Sequence, residues 1–150
     1  MTKEKAYFAF DFISALFIAL FAYTAVDKLR HLPTFNNSLQ GSTLLKNYEP
    51  VLRYAVPTIE MLLVVLLLLP KTRLAGLIGA TTLMAVFTLY VGLVLSTPTN
   101  VPCSCGGIVA SLSWSGHLWV NGIFTGLGTV AIVLFFYFFY RDKTGHAEHL

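Results

Sequence analysis

Apolar residues in this chain gather into four nearly unbroken runs, at residues 6–26, 51–69, 74–95 and 117–140. Each run is long enough to cross a bilayer as a helix, which takes about 20 apolar residues. Helices are the element this pattern predicts. A backbone in lipid must satisfy its own N–H and C=O groups, and the period-two alternation of barrel strands is absent. The first run exceeds the apolar core of a typical signal peptide, and no small-residue cleavage site follows it, so it reads as a retained span. The expected fold is all-α: one membrane domain over residues 1–150, built as a four-helix transmembrane bundle.

The polar positions lie mostly between the runs. Residues 27–50 form the longest polar stretch, and Phe35, Leu39, Leu44 and Leu45 within it suggest a short amphipathic helix on the outer surface. Gly76 with Ala80, and Gly122 with Gly126, are small-residue pairs four apart, a spacing that lets helices approach closely inside a bundle.

Composition strengthens the membrane reading. Hydrophobic residues make up 56% of the chain and charged residues 11%, against about a quarter charged in a soluble domain. Mean hydropathy is +0.72. No basic block interleaved with aromatics is present, so the expected partner is the lipid bilayer and not nucleic acid.

Charge placement suggests an orientation. Lys3, Lys5, Lys71, Arg73, Arg141 and Lys143 fall on one side of the four runs, and Lys28, Arg30, Lys46 and Arg53 on the other. Positive charge is retained in the cytoplasm, so both termini are expected there. Tyr137 and Tyr140 would then mark the inner interface, and Trp114 and Trp119 the outer one.

Cys103 and Cys105 are the two cysteines of the chain, one residue apart between the third and fourth runs. On this orientation they face the periplasm, where disulfide chemistry is permitted. Alpha carbons two residues apart can fall within the roughly 4.4–6.8 Å that a disulfide needs. A bond there closes almost no loop and so adds little stability, and a strained, exposed disulfide tends to be labile. That points to redox exchange. Cu(I) binding by the two thiolates, with His117 as a third ligand, and an idle thiol pair are the other uses of the same atoms. A lone Cys-x-Cys lacks the second pair of a structural zinc site, and nothing resembles a haem attachment motif.

The residues around the pair suit a reactive thiol. Gly106 and Gly107 leave backbone room beside Cys105, and the start of the fourth helix favours a nearby thiolate through its dipole. His117 can exchange a proton near neutral pH. Trp114, His117 and Asn121, at spacings of three and four, would share one helix face below the cysteines. Glu60, midway along the second run, is the clearest ionisable residue within a span and a candidate for proton handling or ligand binding. A protonated Glu60 hydrogen-bonded between helices is the structural alternative, as interhelical bonding is for Asn121. Asp11, near the inner end of the first run, is expected to reach the interface.

Cys103, Ser104, Cys105, Gly106 and Gly107, followed by Trp114, His117 and Asn121, resemble the MauE/DoxX-like redox-associated membrane proteins. Asp27, Lys28 and Leu29, together with Pro57 and Glu60, are similar to further positions of that family. The resemblance covers nearly the whole chain. It implies a four-helix bundle of the bacterial inner membrane, associated with methylamine utilisation and the disulfides of methylamine dehydrogenase; DoxX relatives are linked to quinone-coupled sulfur oxidation. Gly106 and Gly107 depart from the Phe-Gly that often follows the second cysteine.

The function expected is therefore a membrane-embedded thiol–disulfide redox protein, a possible oxidoreductase in which Cys103 and Cys105 exchange with an exported thiol protein. Electrons would leave through a thioredoxin-like protein, or through a quinone held near Trp114, His117, Asn121 and Glu60. The first exit is favoured because no quinone pocket is legible in the sequence. A non-enzymatic membrane subunit or assembly factor, and a small metal or solute carrier using Glu60 and Asn121, are the competing expectations.

Overall fold

The structure, a computed structural model, describes residues 3–42, 44–96 and 114–145. These form helix α1 (Lys3–Arg30), α2 (Leu32–Gly41), a single 3₁₀ turn (Lys46–Tyr48), α3 (Glu49–Leu68), α4 (Arg73–Ser96) and α5 (Trp114–Gly145). Helices α1, α3, α4 and α5 are each long and apolar enough to cross a membrane. The chain is an all-α, four-span membrane bundle.

Helix α1 outruns its apolar run by one turn and carries Asp27 and Lys28 within it. It ends where the His31 N–H donates to the Asp27 carbonyl at 2.9 Å. Pro33 then sits in the first turn of α2, where its missing N–H and fixed φ cost nothing. Phe35 and Leu39 of α2 are buried, whereas Leu44 and Leu45 lie beyond the helix end. The tight turn between α3 and α4 is held by side chains: Thr72 Oγ1 donates to the Leu66 carbonyl at 2.9 Å and Arg73 Nε to the Leu67 carbonyl at 3.0 Å. Both satisfy carbonyls that a helix end leaves open.

The spans pack as a ring in chain order, each antiparallel to the next. Phe17 meets Phe124 edge-on at 5.3 Å and Phe10 meets Phe135 at 5.0 Å, which sets α1 against α5. Thr88 faces Thr125 across α4 and α5 at 3.4 Å. Lipid tails are as apolar as leucine, so these helices are held by close packing and not by escape from water. The centre is accordingly dense, with Phe17, Phe21, Leu67, Leu77 and Ala80 almost fully buried. Ser14, Thr81 and Thr88 return their hydroxyls to the carbonyls four residues back, each at 2.7 Å, so that these three donors are satisfied within their own helices.

The two small-residue pairs behave differently. A Cβ on Gly76 would come within 2.9 Å of the Leu67 backbone nitrogen, and Ala80 is wholly buried, so this pair sets the close α3–α4 crossing. Gly122 and Gly126 are exposed, with nothing within 4 Å of a Cβ built on either. They do not pack inside the bundle. Gly128 does that work in α5, where a Cβ would collide with Thr81 and lie 3.1 Å from Phe17.

Candidate functional site

Along α3 the buried residues Pro57, Glu60, Leu63, Val64 and Leu67 follow one another at spacings of three and four. Glu60 thus occupies a core position of an otherwise apolar stripe. On α1 the stripe runs Phe10, Ile13, Ser14, Phe17, Phe21, Ala25 and then Lys28. The two stripes meet, and Lys28 Nζ donates to Glu60 Oε1 at 2.6 Å. Only 8% of the lysine side chain and 1% of the glutamate side chain are exposed.

Lys28 was expected among the outer-loop charges. Its burial corrects that reading: α1 continues past the apolar run, and the helical repeat carries Lys28 inward. Carboxylate and ammonium together are neutral, which is what allows two ionisable groups to be buried this deeply. The lysine Nζ also lies 5.9 Å from the ring centroids of both Phe35 and Phe87, within reach of their negative faces.

Lys28 and Glu60 are both among the residues that line a cavity of about 340 Å³. Phe21, Thr24 and Lys28 from α1, Phe35 and Leu39 from α2, and Val56, Ile59 and Glu60 from α3 line it. Leu83, Phe87 and Tyr90 from α4 and His117 and Asn121 from α5 complete the wall. Tyr90 donates its hydroxyl to Ser42 Oγ at 3.0 Å, tying the segment after α2 to α4. Glu60 Oε2 is buried and has no hydrogen-bond partner among the described residues. The Thr24 hydroxyl, which donates to the Phe21 carbonyl at 3.4 Å, lies close to the same carboxylate.

Nearer the surface, His31 Nδ1 approaches Asp27 Oδ1 at 3.2 Å and Arg53 Nη1 approaches Glu49 Oε1 at 3.6 Å. At the opposite end of the bundle Arg73 Nη1 donates to Asp11 Oδ1 at 2.7 Å. Asp11 is largely exposed there.

Three of the residues singled out in the sequence come together in this cavity: Glu60 from α3, and His117 and Asn121 from the first two turns of α5. His117 is 2% exposed. Trp114 opens α5. Cys103 and Cys105 lie outside the described residues, in the segment that joins the end of α4 to the start of α5. Lys28 is the member that the sequence reading did not assign to the site. The signal for it was the three-and-four spacing of α1 carried one turn further, and its place beside Asp27 among the positions similar to the family.

Chemically, the site offers an apolar, aromatic-walled space with a neutral acid–base pair in its wall. Such a pair can donate to one oxygen and accept from another.

The MauE family model, described as methylamine utilisation protein MauE, matches residues 6–136. The matched range takes in Lys28, Glu60, both cysteines, His117 and Asn121. Neither the curated proteins nor the solved structures gave a match.

Proposed function

The chain belongs to the MauE family, and from that premise we propose that it is a thiol–disulfide redox protein of the bacterial inner membrane, with Cys103 and Cys105 as its exchanging pair. The observation that carries this reading is connectivity. The segment bearing both cysteines joins Ser96 at the end of α4 to Trp114 at the start of α5. The adjoining turns contribute Val91, His117 and Asn121 to the cavity. Both anchor points of that segment thus lie at the end of the bundle that holds Lys28, His117 and Asn121.

Charge supports an outward-facing position for that end. With Lys28 withdrawn into the bundle, Arg30, Lys46 and Arg53 remain there. Lys3, Lys5, Lys71, Arg73, Arg141 and Lys143 lie on the other side. The excess marks the cytoplasmic face, with both termini on it.

In the reaction, a thiolate of an exported partner attacks the Cys103–Cys105 disulfide and forms a mixed disulfide. The partner's second thiolate resolves it. The partner leaves oxidised, and Cys103 and Cys105 are left as two thiols. An oxidised thioredoxin-like protein accepts the two electrons and restores the bond. Maturation of exported proteins, including those of methylamine metabolism, fits this chemistry.

A trap tests it. Cys103→Ser and Cys105→Ser variants are purified from oxidising cultures and examined for disulfide-linked proteins. One of them should retain a partner that is released by reductant and absent from the double variant. Failure of both to retain any partner contradicts the proposal.

A further inference from the structure

We propose that the cavity between the spans takes up the free end of a phospholipid acyl chain, which enters sideways from the membrane between α3 and α4. This goes beyond the thiol reading and needs neither cysteine, because every residue it rests on belongs to the packed spans and the segment between α1 and α3.

Where the cavity opens decides what can enter. Among the described residues that line it, only Ile59 and Val86 are exposed, at 45% and 53%. Ile59 lies near the middle of α3 and Val86 near the middle of α4. Toward the inner end these two helices close on each other: a Cβ on Gly76 would meet the Leu67 backbone nitrogen at 2.9 Å, and one on Gly79 the Leu63 Cδ2 at 2.7 Å. Toward the outer end, α2 seats the buried Phe35 and Leu39 in the cavity wall, and Tyr90 holds Ser42 at 3.0 Å. The opening therefore faces lipid and not water. It continues the apolar surface on which Leu62 of α3 and Leu89 of α4 are exposed.

Depth and chemistry then name the occupant. The hydrocarbon core is about 30 Å thick, so head groups stand about 15 Å from an opening at mid-span, where the methyl ends of acyl chains gather. Leu52, Val56, Leu83, Met84 and Val91 give the interior an apolar wall. Polar side chains in that wall already have acceptors. Lys28 donates to Glu60 at 2.6 Å, Ser38 to the Thr34 carbonyl at 3.0 Å, and Thr24 to the Phe21 carbonyl at 3.4 Å. A polar head drawn inside would leave its own groups unpaired, whereas a hydrocarbon chain asks for no hydrogen bond. Dry apolar cavities in proteins take up apolar guests for the same reason.

The test uses the whole protein in nanodiscs and two phosphatidylcholines, one with a diazirine at the end of an acyl chain and one with it beside the ester. Phe21, Leu39 and Met84 line the cavity and are buried, so a probe reaches them from within it. After irradiation, peptide mapping should find adducts on these three residues with the chain-end probe and not with the ester-side probe. A phosphatidylglycerol carrying the chain-end diazirine should label them equally. Val86→Trp, or Ile59→Trp on the facing helix, narrows the opening and should cut these adducts about tenfold. Adducts on the exposed Leu89 should persist in both variants. Absence of adducts on all three buried residues overturns the proposal. Equal labelling by the two probe positions, or a preference for one head group, also overturns it. These contrasts are read on the parent protein and decide the matter whether or not the tryptophan variants fold.

Discussion

Lys28 and Glu60 stand 32 residues apart in the chain and 2.6 Å apart in the fold, joining the end of the first span to the middle of the second. Each neutralises the other in a place where neither could stand alone. Replacing Glu60 with Leu, or Lys28 with Met, strands a buried charge. Either single variant should lose about 3–5 kcal/mol of stability, whereas the double replacement should stay within about 1 kcal/mol of the parent. Reversible unfolding in mixed micelles measures all three. Additive losses in the double variant would show that the two groups are not coupled.

Close approach of the helices should depend on two glycines and not on the other two. Gly76→Ala and Gly128→Ala each place a methyl group against a neighbouring helix and should cost about 1–3 kcal/mol. Gly122→Ala and Gly126→Ala meet nothing within 4 Å and should fall within about 1 kcal/mol of the parent. The same unfolding assay ranks the four. A large loss at Gly122 or Gly126 would mean that the face they share is covered.

The Asp11–Arg73 pair is short, yet 60% of the aspartate side chain is exposed. Solvent screens such a pair, so Asp11→Asn should change stability by less than about 1 kcal/mol. Arg73→Ala should cost more, because its Nε also caps the Leu67 carbonyl. Equal losses in the two variants would assign the arginine's effect to the ion pair alone.

Orientation gives a further prediction. In intact spheroplasts, a membrane-impermeant maleimide applied after mild reduction should label Cys103 and Cys105. A cysteine introduced by Lys71→Cys, with both natural cysteines changed to serine, should react only once the membrane is opened. The reverse pattern would invert the bundle and move the thiols to the cytoplasm.

Much of this architecture is legible in the sequence because lipid imposes a simple rule: a spanning segment is apolar, long and helical. The four runs therefore mark the four spans. Glu60 is equally legible, since an ionisable residue amid leucines has few places to go. Lys28 is harder to read, because hydropathy ends α1 at residue 26 whereas the helix ends at Arg30. Its inward direction depends on helical phase, which the apolar run hides by being apolar on every side. The same uniformity conceals which glycines face a neighbour. The cavity depends on five helices meeting, with His117 and Glu60 brought together from segments 57 positions apart. Local sequence carries no trace of that meeting.

The most direct measurement is a redox titration of the purified protein, equilibrated in dithiol–disulfide buffers of graded potential and quenched with a maleimide of known mass. The mass spectrum should show two species that interconvert fully and reversibly, one carrying two maleimides and one carrying none. If both sulfurs are alkylated at every potential, or never alkylated in the denatured protein, the chain does not cycle electrons through this pair.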